Sequence, residues 1–263
     1  MIRALKRAHR LCVVAALPLL IGGARTTGDL RGSQALSLQQ IVAKHLQAIG
    51  GQTKLAAIHS LQIAMIVNER GTLHPVFADR KRPNLLRVRM IHGGELVFTE
   101  VYTGTRSWEG APGKEECRPD SAAMAATRHA AEQFDDPLLS AIAFAADSRL
   151  VGPVRLGGAD LYQIDITQRD GSQSSYFVDS QSFLLSRVRN RRRFHPNEPP
   201  RLIELVVDDH QPVSGVLFPF RSIERDVETG ELLTVSMTLW AEANVPISEN
   251  VYAMPASCSD QND

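Results

Sequence analysis

Over much of its length the chain alternates apolar and polar positions with a period of two. Leu61, Ile63, Met65 and Val67 alternate with Gln62, Ala64, Ile66 and Asn68, and Leu86, Val88 and Met90 alternate with Arg87, Arg89 and Ile91. This period places one residue set on each side of a strand. Gly93-Gly94 turns the chain into Leu96 and Phe98, and Gly104 precedes Arg106-Ser107-Trp108. Further strands are expected over 149–156, 161–168, 173–178, 183–193, 201–208, 216–225 and 232–243. Gly157-Gly158, Asp170-Gly171 and Thr229-Gly230 sit between successive strands, where hairpin turns need positive φ. Ten or eleven strands joined by short turns predict a mainly β (α+β) domain, an antiparallel meander that curls.

Two stretches depart from this period. Leu38, Ile41, Val42, His45, Leu46 and Ile49 recur at helical spacing behind Ser37, and Gln40 completes a capping box. Gly50-Gly51 ends that helix, and a short second turn runs over 54–58. The alanine-rich stretch 121–132 and the segment opened by Asp136-Pro137, through Leu138, Leu139, Ile142 and Phe144, predict a helical insertion at about 121–146.

The N-terminus changes the picture from domain to exported domain. Arg3, Lys6, Arg7 and Arg10 precede an apolar run over 11–21, followed by Gly22, Gly23 and Ala24. That is a secretory signal, cleaved near Ala24. The run is about half the roughly 20 residues of a transmembrane span, and Pro18 interrupts it. The expected organisation is a signal peptide over 1–24, a flexible leader over 25–36, one domain over 37–258 and a polar tail over 259–263. Cleavage leaves 25 basic against 29 acidic residues, a net charge of −4. A mildly acidic chain is a poor nucleic-acid binder, because such binding rests on phosphate neutralisation. Two cysteines remain, Cys117 and Cys258. In an oxidising compartment they are a disulfide pair or two separate thiols.

Catalytic signatures are missing. The chain has no Gly-x-Ser-x-Gly elbow, His-Glu-x-x-His, Cys-x-x-Cys, phosphate-binding Gly-x-x-x-x-Gly-Lys or Gly-x-Gly-x-x-Gly. Asp208, Asp209, His210 and His195 are of metal-ligand type, but neighbours on a strand point to opposite faces, and an acidic turn before Pro212 is the preferred reading. His129 reads as a polar helix position and His45 as a partly buried one. Neither a metal nor another cofactor is expected, nor an enzymatic activity. The sharpest charge feature is the strand bearing Arg187, Arg189 and Arg191. It suits contact with an anionic headgroup or acidic partner, or is a solvated strand face.

Several segments together resemble the LolA/LolB-like group of periplasmic lipoprotein-sorting proteins. They are Ala48-Ile49-Gly50-Gly51 with Leu55, Ile58 and the strand from Leu61; Tyr102-Thr103-Gly104-Thr105-Arg106-Ser107-Trp108; and Glu132-Gln133-Phe134-Asp135-Asp136-Pro137-Leu138-Leu139. Tyr176-Phe177-Val178-Asp179 followed by Leu184-Leu185-Ser186-Arg187, and Gly215-Val216-Leu217-Phe218-Pro219, complete the set. The resemblance spans residues 37–256. It implies a curved antiparallel sheet, an incomplete barrel with helices over its concave side and an apolar cavity between them.

The function expected from this is a periplasmic carrier or sensor of a hydrophobic ligand, a lipid or an acylated protein, with peripheral or transient membrane contact. Met65, Met90, Phe98, Trp108, Phe134, Leu138, Leu139 and Phe144 are the candidates for the cavity wall, which methionine suits because its flexible thioether adapts to varied ligands. Ordinary core packing is the alternative for each. The competing class is a non-enzymatic envelope interaction module, a stress regulator or export accessory with a protein partner. A hydrolase with scattered catalytic residues is the remote third.

Overall fold

The computed structural model describes residues 35–110, 118–119, 136–192 and 199–253. The signal peptide, the leader up to residue 34, Phe134, Cys117, Cys258, His129, His195 and the first part of the helical insertion lie outside them.

The described strands are β1 Ser60–Glu69, β2 Thr72–Lys81, β3 Leu85–His92, β4 Glu95–Tyr102, β5 Ser107–Gly110, β6 Arg118–Pro119, β7 Ala145–Leu156, β8 Ala159–Gln168, β9 Gln173–Asp179, β10 Leu185–Arg192, β11 Arg201–Val213, β12 Val216–Asp226 and β13 Leu232–Ala243. They form one antiparallel sheet in the order β6-β5-β4-β3-β2-β1-β13-β12-β11-β10-β9-β8-β7. Every neighbour pair is consecutive in sequence except β1 and β13, which join the two halves from Leu61–Ala243 to Glu69–Thr234. The outermost strands β6 and β7 do not pair with each other, so the sheet curls without closing. The expected incomplete barrel is what forms.

Two strands were not anticipated, β2 and the two-residue β6. The sequence of β2 contains Pro75 and the charged run Asp79-Arg80-Lys81, both of which argue against an inner strand. Pro75 stands opposite Ile66 in the β1 ladder but one residue beyond the last β2–β3 pair, Val76–Met90, so its missing N–H breaks no rung on the β3 side. The last residues of the expected insertion are strand, since β7 begins at Ala145.

The helices are α1 Leu38–Ala48, α2 Gln52–Ala56 and α3 Pro137–Ala143, with a 3-10 turn at Glu249–Tyr252. At the start of α1 the Ser37 hydroxyl accepts from the Gln40 N–H at 3.2 Å and the Ser37 N–H donates to Gln40 Oε1 at 2.8 Å. Beyond its end, Gly50 takes φ +121° beside the Gly215 carbonyl, leaving no room for a Cβ. The Leu217 N–H donates to the Ile49 carbonyl at 2.8 Å, so this close approach docks α1 on the β11–β12 turn.

The helices pack on one face of the sheet, here the inner face. Ile49, Leu55 and Ile58 bury against Leu61, Val213 and Val216. Ile41, Leu138 and Ala141 bury against Ile164, Ile166 and Val178. On the outer face, Tyr252 in the 3-10 turn covers Val101 and Trp108. No helix among the described residues is long and apolar enough to cross a membrane.

Candidate ligand-binding face

α1, α2 and α3 cover the inner face of β1, β8, β9, β11 and β12. The inner face of β1–β4 carries a continuous apolar row. Register places Met65 opposite Val76, Val76 opposite Met90, and Met90 opposite Phe98. Val76 is buried and the other three are half-buried. The neighbouring positions Ile63, Ala78, Val88, Leu86 and Tyr102 pack beneath the row as a small core. Three of the cavity-wall candidates, Met65, Met90 and Phe98, thus stand side by side on three strands.

The remaining candidates are elsewhere. Leu138 is completely buried between α1 and β8, and Leu139 packs partly buried against the α1–α2 core. Phe144 caps α3 and is 49 % exposed. Trp108 pairs with Val101 in a row continuing to Arg87 on the outer face, opposite the methionines.

α1 and α3 are joined through His45, fully buried on α1. Its Nδ1 lies 2.8 Å from the Phe183 carbonyl and its Nε2 lies 2.9 Å from Asp136 Oδ1. Both partners can accept, an arrangement that favours the doubly protonated, cationic ring. Burial alone would lower its pKa; the hydrogen bond and charge of Asp136, with the Phe183 carbonyl, outweigh it and raise the pKa. The same carboxylate oxygen accepts the Leu138 and Leu139 N–H groups and caps α3. Nearby, burial and then the charge of Asp136 push the Tyr176 phenol up to about 12.

The outer face carries the arginines. Arg187 Nη1 and Arg189 Nε donate to the two oxygens of Glu204 at 3.0 and 2.7 Å, and the Arg189 guanidinium lies 5.5 Å from the centre of the Phe177 ring. Arg191 makes an exposed pair with Glu228 at 3.3 Å. An open groove of about 910 Å³ runs over this region, lined by Arg149, Asp165, Ser175, Phe177, Arg189 and Arg191. Burial raises the Asp165 pKa, but hydrogen bonds from Gln163, Ser175 and Arg149 outweigh it and hold the carboxyl below its ordinary value.

The other half of the sheet repeats this arrangement. Arg87 Nε and Nη2 donate to Asp79 Oδ2 at 2.8 and 2.6 Å, Arg89 reaches the same oxygen at 3.4 Å, and Arg89 lies 5.6 Å from the Phe77 ring centre. Asp79, with 1 % of its surface exposed, also accepts from Gln62 Nε2 at 3.0 Å. Phe77, Arg87, Val88 and Arg89 recur at an offset of 100 as Phe177, Arg187, Val188 and Arg189, but the carboxylate does not: Asp179 accepts from Gln181 and Ser182 in its own turn, and Glu204 on the following strand takes the place of Asp79.

Among the described residues no group of three or more His, Cys, Asp or Glu converges as a metal site. Asp208 Oδ2 accepts from Arg221 at 3.1 Å, and Asp209, at φ +51°, accepts from Gln211.

No protein-family model and no curated protein matches the sequence. Solved structures do match by shape. A LolA superfamily protein from Nitrosomonas europaea superposes with a TM-score of 0.57 at 12 % identity, over 84 % of this chain and 99 % of the other. The chain has the LolA fold. A DUF1329 family protein from Desulfovibrio piger gives 0.55 at 13 % identity, over 82 % and 96 % of the two chains. An outer membrane lipoprotein-sorting protein domain from Vibrio parahaemolyticus gives 0.51 at 11 %, over 81 % and 94 %. At these identities the likeness concerns the LolA-like sheet and its helices.

Proposed function

We propose that this protein is a non-enzymatic periplasmic carrier or sensor that holds a hydrophobic ligand, an acyl chain of a lipid or lipoprotein, against the inner face of its sheet. The observation that carries this reading is the Met65–Val76–Met90–Phe98 row. Four strands side by side make a row of about 14 Å, given inter-strand spacings near 4.8 Å. An acyl chain laid along it gains about 0.8 kcal/mol for each methylene removed from water. The thioethers of Met65 and Met90 can repack around chains of different length. The N-terminal signal supports export to the periplasm, and the fold shared with a lipoprotein-sorting domain supports an acylated ligand.

The test is equilibrium binding of a fluorescent fatty acid to the purified protein. Met90→Asp places a charge in the row and is expected to weaken binding by about tenfold or more while the β-sheet circular dichroism persists. A wild-type protein that binds no such probe would favour the second reading, an envelope interaction module. The outer-face clusters of Arg187, Arg189 and Glu204 would then be its contact surface.

A further inference from the structure

β13 is the central strand, with six strands on either side, yet its outer face is exposed and apolar. Met237 is 55 %, Leu239 62 % and Trp240 44 % exposed. Leu239 projects at the bulge where the β1–β13 register shifts. Met237 stands beside Ile66, which stands beside Pro75, and the row before it runs from Val235 through Asn68 to Leu73, itself 60 % exposed. Monomeric proteins rarely leave so many large apolar side chains together in the open, and such a patch marks an interface.

We propose that this face binds a second copy of the same chain in a twofold dimer. The charges around the patch decide between occupants. Arg221 is paired with Asp208 at 3.1 Å and Arg70 with Glu231 at 3.5 Å, so the rim has little net field for an anionic bilayer. Flanking the patch on the same face, exposed Arg225 and Glu242 have no ion-pair partner among the described residues. Arg225 is in register with Leu232, five residues before Met237, and Glu242 lies five residues after it. A patch with opposite unpaired charges equally far from its centre is self-complementary. Turning one copy end for end about an axis at Met237 brings Arg225 of each towards Glu242 of the other, as an isologous interface requires. The apolar centre supplies the association energy and the two charge pairs set the register. This inference is independent of whether the inner face holds a lipid.

Sedimentation equilibrium of the purified protein tests it. The expected result is a monomer–dimer equilibrium that Met237→Asp weakens by about tenfold or more. Arg225→Glu and Glu242→Arg should each weaken it, and the double reversal should restore association to within about threefold of wild type, because the pairs re-form with exchanged sign. All of these positions are exposed, and circular dichroism checks that the variants fold. A wild type that stays monomeric at about 100 µM, well above the dissociation constant of a specific dimer, overturns the proposal. So does a double reversal that is worse than either single change. A monomer that floats with vesicles of equal parts phosphatidylcholine and phosphatidylglycerol would also overturn it and assign the face to membrane contact.

Discussion

Replacing His45 by leucine removes the buried imidazole that bridges two acceptors while keeping most of the volume. In the native protein the His45 ring spans the Phe183 carbonyl and Asp136, the N-cap of α3. The leucine variant leaves the carbonyl without its donor and the carboxylate with only the Leu138 and Leu139 N–H groups. Breaking a buried charge pair from one side costs about 3–5 kcal/mol. In a domain of this size that is a fall in Tm of roughly 10 °C. The sign of the pH dependence follows from the raised pKa. The folded state binds the His45 proton more tightly than the unfolded chain. The contribution is therefore complete below the unfolded histidine pKa and is lost as pH rises through the folded one, at no more than about 1.4 kcal/mol per pH unit. His210 runs the other way: burial, then the charge of His45, lowers its pKa, so its protonation at low pH opposes folding. The assay is urea denaturation of wild type and His45→Leu from about one pH unit below the ordinary histidine pKa to about two units above it, so that the raised folded pKa is covered. The wild-type advantage should be largest at the acid end and shrink towards the alkaline end. Equal stability at every pH, or an advantage that grows with pH, would refute a charged His45 as the link between α1 and α3.

Two further predictions concern stability. Asp79→Ala leaves the partly exposed Arg87 and Arg89 guanidiniums without their shared carboxylate, and should cost about 1–3 kcal/mol by urea denaturation. Gly50→Ala forces a Cβ towards the Gly215 carbonyl at φ +121° and should cost more than about 2 kcal/mol, whereas Gly51→Ala, which meets no neighbouring atom, should cost less in the same measurement.

The parts of the fold legible in the sequence are those set by neighbours along the chain. The capping box at Ser37, the stop at Gly50-Gly51 and the hairpins at Gly93-Gly94 and Gly157-Gly158 are local, and each forms as read. β2 escaped because Pro75 and the charges of Asp79-Arg80-Lys81 override its alternation. What makes it a strand is pairing with β1 over ten residues, and Arg87 and Arg89 supply the counter-charges for Asp79. The β1–β13 seam that joins the halves links residues 165–182 positions apart, and no local signal encodes it. For the candidate site, Met65, Met90 and Phe98 were recognisable as one-face residues, but their side-by-side placement depends on register with Val76 in the strand that was missed. Trp108 was misplaced for a similar reason. Its side of the sheet follows from pairing with Val101, whereas composition says only that it is large and apolar. The arginines at 187 and 189 looked like a charge run because their partner, Glu204, lies on the next strand.

The central claim is that a hydrophobic ligand lies on the inner face of β1–β4. Photo-crosslinking with a fatty acid carrying a diazirine in its chain, followed by peptide mapping, tests it directly. The account predicts labels on the peptides containing Met65, Met90 and Phe98, suppressed by excess unlabelled fatty acid. No competable labelling, or labels confined to the outer-face residues of β13, would contradict it.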